Sequence, residues 1–120
     1  MSVGHAQNFW DPEVAKEEAR FRNHRRSRPV PGYVTGTMLV RRSVFDQIGL
    51  FNENLEHGDS LEWVTRARRA SVSIELIPDV LLMRRLHLHN RSRLEASRSY
   101  DEFLGLVKAV LDDKRKHAAQ

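Results

Sequence analysis

Asp59 is the residue whose type and position are best suited to chemistry. It stands after Gly58 and opens a run, Ser60 to about Ala70, with the apolar spacing of a buried helix: Trp63, Ala67 and Ala70 on one face, Leu61 and Val64 beside it. A carboxylate held at a helix start next to a glycine can act as a general base towards an incoming hydroxyl. The same spacing, with Glu62 three residues on, is also a capping box. Asp59 would then only satisfy helical N–H groups, for about 1 kcal/mol. Spacing alone favours the cap and leaves the base open.

A second group lies at residues 84–90, where Arg84, Arg85, His87, His89 and Asn90 close an apolar run. Strand ends open into ligand crevices, and adjacent guanidiniums there suit a diphosphate. Asn90 adds a further polar arm. On a strand, Met83, Arg85, His87 and His89 share one face, and Val80, Leu82, Arg84, Leu86 and Leu88 the other. Two imidazoles on one face suit a metal ion or a phosphate, although two ligands make a weak site and a polar strand end is the simpler reading. A phosphate-cradling glycine loop, a nucleophile elbow and a metalloprotease helix are all missing.

The elements that must position these groups follow from periodicity and punctuation. Residues 1–10 carry no periodic signal and are expected to be loose apart from Phe9 and Trp10. Asp11-Pro12-Glu13 starts a weak helix continuing to about Arg22, with Asp11 as N-cap and Pro12 at the first position. Asn23 to Pro31 reads as a basic, extended linker, in which His24-Arg25-Arg26-Ser27-Arg28 is a solvated charge run or a nucleic-acid patch. Tyr33 to Val40 is β-branched and apolar, a strand with Gly36 inside it where something approaches closely. Ser43 caps a short helix to Ile48, which Gly49 ends. Leu50 to Leu55 is a loop.

After the central helix, Val72, Ile74 and Leu76 alternate with polar residues as a strand does. Pro78-Asp79 interrupts, and a second strand runs from Val80 to about His89. The last element is an amphipathic helix from Ser99 to about residue 113, capped by Ser99 with Glu102 and polar and frayed from Asp112. Its apolar stripe is Tyr100, Phe103, Leu104, Val107, Val110 and Leu111. That stripe covers the sheet or pairs with another subunit. The expected fold is α+β, a small sheet from the strands near 33–40, 72–77 and 80–89 packed with helices. Residues 1–32 form a polar extension and 33–120 the domain.

Composition narrows the classes. The 120 residues are 40% hydrophobic and 30% charged, as in ordinary globular domains, and suffice for one modest core. The absence of cysteine excludes disulfides and thiolate metal sites. No apolar run is long enough to span a membrane, and the N-terminus lacks a secretory layout, so a cytoplasmic location is expected. Net charge is +4, and lysine supplies only Lys16, Lys108, Lys114 and Lys116 of the 20 basic residues. Arginine's planar fork suits phosphate-bearing ligands, although genomic base composition also accounts for such a skew.

Taken together, four segments resemble the C-terminal half of a family 2, GT-A-type inverting glycosyltransferase. They are Gly36-Thr37-Met38-Leu39-Val40-Arg41-Arg42, Phe45 with Ile48-Gly49-Leu50-Phe51-Asn52-Glu53, Gly58-Asp59 with Glu62-Trp63 and Arg66-Ala67, and Arg84-Arg85-Leu86-His87 with Asn90. Order and spacing agree over about residues 33–92. The resemblance implies that Asp59 is the base deprotonating the acceptor hydroxyl and that Trp63 is the aromatic following it. It implies that Gly36 and Thr37 line the acceptor side. Arg84, Arg85 and His87 would approach the donor diphosphate and its manganese or magnesium ion.

Two departures accompany the resemblance. Gly58 stands where the family's motif has glutamate, and the nucleotide-binding half with its Asp-x-Asp motif is not in the chain. What is expected is therefore half of a nucleotide-sugar site, inactive alone or dependent on a partner chain. The other readings are a non-catalytic homo-oligomeric module and a basic nucleic-acid binder using Arg25, Arg26, Arg28 and the central-helix arginines.

Overall fold

The middle of the sheet is the segment with the weakest local signal. The computed structural model describes residues 1–22 and 27–119, the side chains of Ser92 and Arg93 excepted. In it Ser2–Trp10 form a nine-residue strand, β1, rather than a loose end. The remaining elements are α1 (Ala15–Arg20), β2 (Val30–Pro31), β3 (Met38–Leu39), α2 (Arg42–Ile48), α3 (Asp59–Arg69), β4 (Glu75–Leu86), α4 (Arg91–Leu94) and α5 (Ala96–Ala118). The fold is α+β, with one mixed four-stranded sheet.

β1 is paired on both edges. One edge runs parallel to β4, from Ser2 opposite Glu75 to Trp10 opposite Leu86. The other pairs antiparallel with β3 at Ser2 and Val3 and with β2 at His5 and Ala6. Val3 is fully buried. A parallel partner must arrive by a long crossover, so nothing near β1 in sequence announces it. Residues 1–10 thus belong to the same sheet as β3 and β4.

Pro78 does not split β4 in two, as its position suggests it should. Val3 faces Leu76 and His5 faces Val80, so Ile77, Pro78 and Asp79 bulge opposite Gly4 alone. A bulge is where a sheet tolerates a residue without an N–H. The His5 ring nitrogen Nδ1 lies 2.7 Å from the Ile77 carbonyl oxygen there. The strand expected over 33–40 is cut to Met38–Leu39, because Thr35–Thr37 form a 3-10 turn instead. The buried Thr37 hydroxyl lies against the Gly32 and Val34 carbonyls, a local bond that competes with extended backbone.

The helices follow periodicity better than their expected caps. Asp11 does cap the turn at Pro12–Val14, accepting from the Glu13 N–H at 3.2 Å. Ser43 does not cap α2, which begins at Arg42, whereas Gly49 ends it with φ +90°. α5 starts before Ser99 and continues past Asp112 to Ala118. Asp113 pairs with Arg69 of α3, which helps hold the segment expected to fray. The basic run at His24-Arg25-Arg26 lies outside the described residues.

The main core forms between α3, α2 and the loop after α2. Trp63, Val64 and Ala67 are fully buried, and Trp63 stacks on Phe45 at 4.7 Å and Phe51 at 5.4 Å between centroids. Its indole N–H donates to the Gly49 carbonyl at 2.9 Å. Arg66, one turn on, donates to the carbonyls of Ile48 at 2.8 Å and Leu50 at 2.6 Å. The start of α3 is thereby fixed against the end of α2. Among the described residues no helix is long and apolar enough to cross a membrane.

Candidate active site

Asp59 is the first residue of α3, with Gly58 as N-cap, so the expected capping box is not formed. Glu62 turns instead to Arg66, accepting from its guanidinium at 3.0 Å. Among the described residues none pairs with the half-buried Asp59 carboxylate, which sits at the positive end of the α3 dipole. A carboxylate fixed by its backbone and not consumed by a partner is what proton abstraction requires. A Cβ added at Gly58 would meet only the Glu102 Cβ, at 3.6 Å, an ordinary van der Waals contact.

The loop ahead of Asp59 is clamped by the C-terminal helices. The Glu102 carboxylate accepts from the backbone N–H of Glu56 at 2.6 Å and of His57 at 3.1 Å. The Glu56 carboxylate takes Arg91 at 2.6 Å and Arg98 at 2.9 Å. The His57 ring, with only 7% of its side chain exposed, meets Glu95 at 2.7 Å, and Arg91 reaches the same carboxylate at 3.2 Å. None of these partners is visible in the sequence, where Glu56, Arg91, Glu95 and Arg98 look like ordinary surface charges. The nearest sequence signal is Glu102, whose spacing from Ser99 is that of a cap.

Desolvation alone would raise the Glu95 carboxyl, but the hydrogen bonds and charges of His57 and Arg91 outweigh it and hold it below the usual value. Hydrogen bonds to Glu56 and then Glu95 raise the Arg91 guanidinium above its own. A carboxyl depressed in the folded state stabilises it above the unfolded pKa, near 4.5, and loses that contribution as pH falls through the folded value. Urea midpoints taken from about pH 6 to about pH 3 should therefore fall further for the native chain than for Glu95→Gln. Parallel pH profiles would show that the clamp does not depend on this charge.

Glu56, His57 and Glu95 also form a group that could hold a metal ion, with ligand atoms within 4.8 Å of one another. Arg91 and Arg98 already supply positive charge to both carboxylates. His87, the metal residue expected from the resemblance, is not in this group. β4 ends at Leu86, so His87 and His89 have left the strand and the alternation expected there does not reach them. Their rings lie 6.5 Å apart, but the His87 Nδ1 accepts from the His89 backbone N–H at 3.0 Å.

Asn90 closes that turn. Its side chain accepts from the His87 N–H at 2.6 Å and donates to the Arg85 carbonyl at 3.1 Å, so both ends serve the backbone. Arg84 and Arg85 are exposed, opposite Asn8 and Phe9 of β1. Asp11 lies 3.5 Å from the Arg85 guanidinium. A Cβ at Gly36 would come within 3.3 Å of the side chain of Leu82, two residues before Arg84, so the turn lies close against β4. Thr37 is 6% exposed with its hydroxyl engaged, and Trp63 has no exposed surface. These last two therefore support the site from within and do not offer a substrate contact.

The Gly36 turn lies against β4, Arg84 and Arg85 close that strand, and the Glu56–Arg91 and His57–Glu95 contacts tie the Asp59 loop to the segment directly after Asn90. Trp63 stands apart, in the core. No protein-family model, no curated protein and no solved structure matches the chain.

Proposed function

We propose that the chain is the acceptor-side, catalytic-base half of an inverting glycosyl-transfer site of the family 2 kind, completed by a partner chain that carries the nucleotide-binding half. The observation that supports this most is the Asp59 carboxylate: unpaired among the described residues, at the first position of α3, after a loop that Arg91 and Glu95 clamp through Glu56 and His57. In an inverting displacement the base takes the acceptor hydroxyl proton as that oxygen attacks the anomeric carbon and the nucleoside diphosphate leaves. Asp59 would be the base. Arg84 and Arg85 would meet the departing diphosphate, where charge stabilisation matters most. A bound manganese or magnesium ion would add to that neutralisation.

The test is calorimetry with UDP and manganese, on the chain alone and mixed with candidate partner chains, followed by a transfer assay on any combination that binds. Binding is expected only with the partner. Asp59→Asn should leave nucleotide binding intact and lower transfer by about 10²–10⁴-fold, the usual contribution of a general base. No heat in any combination, or native transfer rates in Asp59→Asn, would sink the reading.

A further inference from the structure

α5 turns one side to the rest of the molecule and leaves an apolar stripe on the other side largely exposed. The inner side, carrying Glu102, Leu106, Val110 and Asp113, faces α3 and the loop after α2 across a cleft of 340 Å³. The outer side carries Tyr100, Leu104, Val107 and Leu111, which are 61%, 45%, 38% and 49% exposed, flanked by Phe103 at 48%. Their spacing of four, three and four residues is that of the a and d positions of a coiled-coil seam. The molecule is also more extended than its length requires. Its radius of gyration is 16.3 Å, against about 14 Å for a compact chain of this size.

We propose that this outer side is the seam of a homodimer in which α5 packs antiparallel against α5 of a second copy. The pattern is complementary to itself in that direction. With the two-fold axis between Leu104 and Val107, each Tyr100 meets the other copy's Leu111 and each Leu104 the other copy's Val107. The exposed Asp101 of each copy then lies beside the exposed Lys108 of the other, giving two opposite-charge pairs at the rim. A parallel pair would set these charges against Ala96 and Phe103, with no partner for either. That difference selects the antiparallel arrangement.

A specific interface needs about 1,000 Å² in total. Two copies bring ten large apolar side chains to one seam, each at least 38% exposed in the single chain. A contiguous apolar stripe on one helix face, rimmed by charged residues, marks an interaction site. The inference is independent of the glycosyl-transfer reading, because none of the seam residues belongs to the candidate site.

Sedimentation velocity at roughly 1 µM and 100 µM, a range over which a moderate dimer changes its population, tests it. The expected mass at the higher concentration is twice the 14.0 kDa of the chain. Leu104→Arg should return it to monomer with unchanged far-UV circular dichroism, since Leu104 is 45% exposed in the single chain. Asp101→Lys and Lys108→Asp should each weaken association several-fold, and the double exchange should restore it. A native chain that stays monomeric at both concentrations would overturn the proposal, and would then point to a different protein on this face. So would a dimer that Leu104→Arg leaves intact, or a double exchange no stronger than the single ones.

Discussion

A chain lacking residues 1–10 is expected not to fold. β1 contacts each of the other three strands, and without it β2 and β3 are two-residue segments with no partner. β4 would lose its entire hydrogen-bonded edge, including the Glu75 N–H to Met1 carbonyl bond at 3.0 Å that starts the pairing. Strands this short are not stable outside a sheet. Circular dichroism and urea unfolding of the truncated chain should show loss of the cooperative transition.

Val3→Asp makes the same point without shortening the chain. Val3 is fully buried, so a carboxylate there would be taken out of water with no cation provided for it. The cost is about 3–5 kcal/mol, a large part of the 5–15 kcal/mol that holds a typical domain together. If the truncated chain unfolds cooperatively and Val3→Asp has a native midpoint, β1 is not the central strand.

Trp63→Ala should be nearly as damaging. It removes a fully buried ring packed on Phe45 and Phe51, at a cost of about 3–5 kcal/mol for a cavity of that kind. It also leaves the Gly49 carbonyl without its 2.9 Å donor. Trp63→Phe separates the two effects, since it keeps most of the packing and loses only the hydrogen bond, for about 1–3 kcal/mol. Denaturant midpoints for the two variants measure the difference. Equal losses would mean that the indole N–H, not the ring, anchors α3. The result bears on the candidate site as well, because α3 carries Asp59 on its first turn and Trp63 fixes that turn against the end of α2.

Helical periodicity was readable in the sequence because it is local. The stripe of α5 and the buried face of α3 depend on residues three and four apart, and the structure has both helices. Gly49 and the Asp11-Pro12 start were equally local, and each is found where its backbone preference puts it. Caps were less legible: Asp59 with Glu62, and Ser99 with Glu102, have capping spacing, yet Glu62 turns to Arg66 and Glu102 reaches to another loop. A carboxylate that can satisfy N–H groups on its own helix or on a neighbour gives the same sequence in both cases.

By itself the sequence determined the α+β class, the long helices and the types of residue available for chemistry. Tertiary structure decided the central strand, the bulge that lets Pro78 remain within β4, and which side chains clamp the loop before Asp59. It also turned Asn90 and Thr37 inward to the backbone, Trp63 into the core, and Glu56, His57 and Glu95 into a clamp held by Arg91 and Arg98. The reason is one of range. A helix selects its partners within a turn, whereas a parallel strand or a clamp selects them from wherever the chain returns, and that return is not written in either segment.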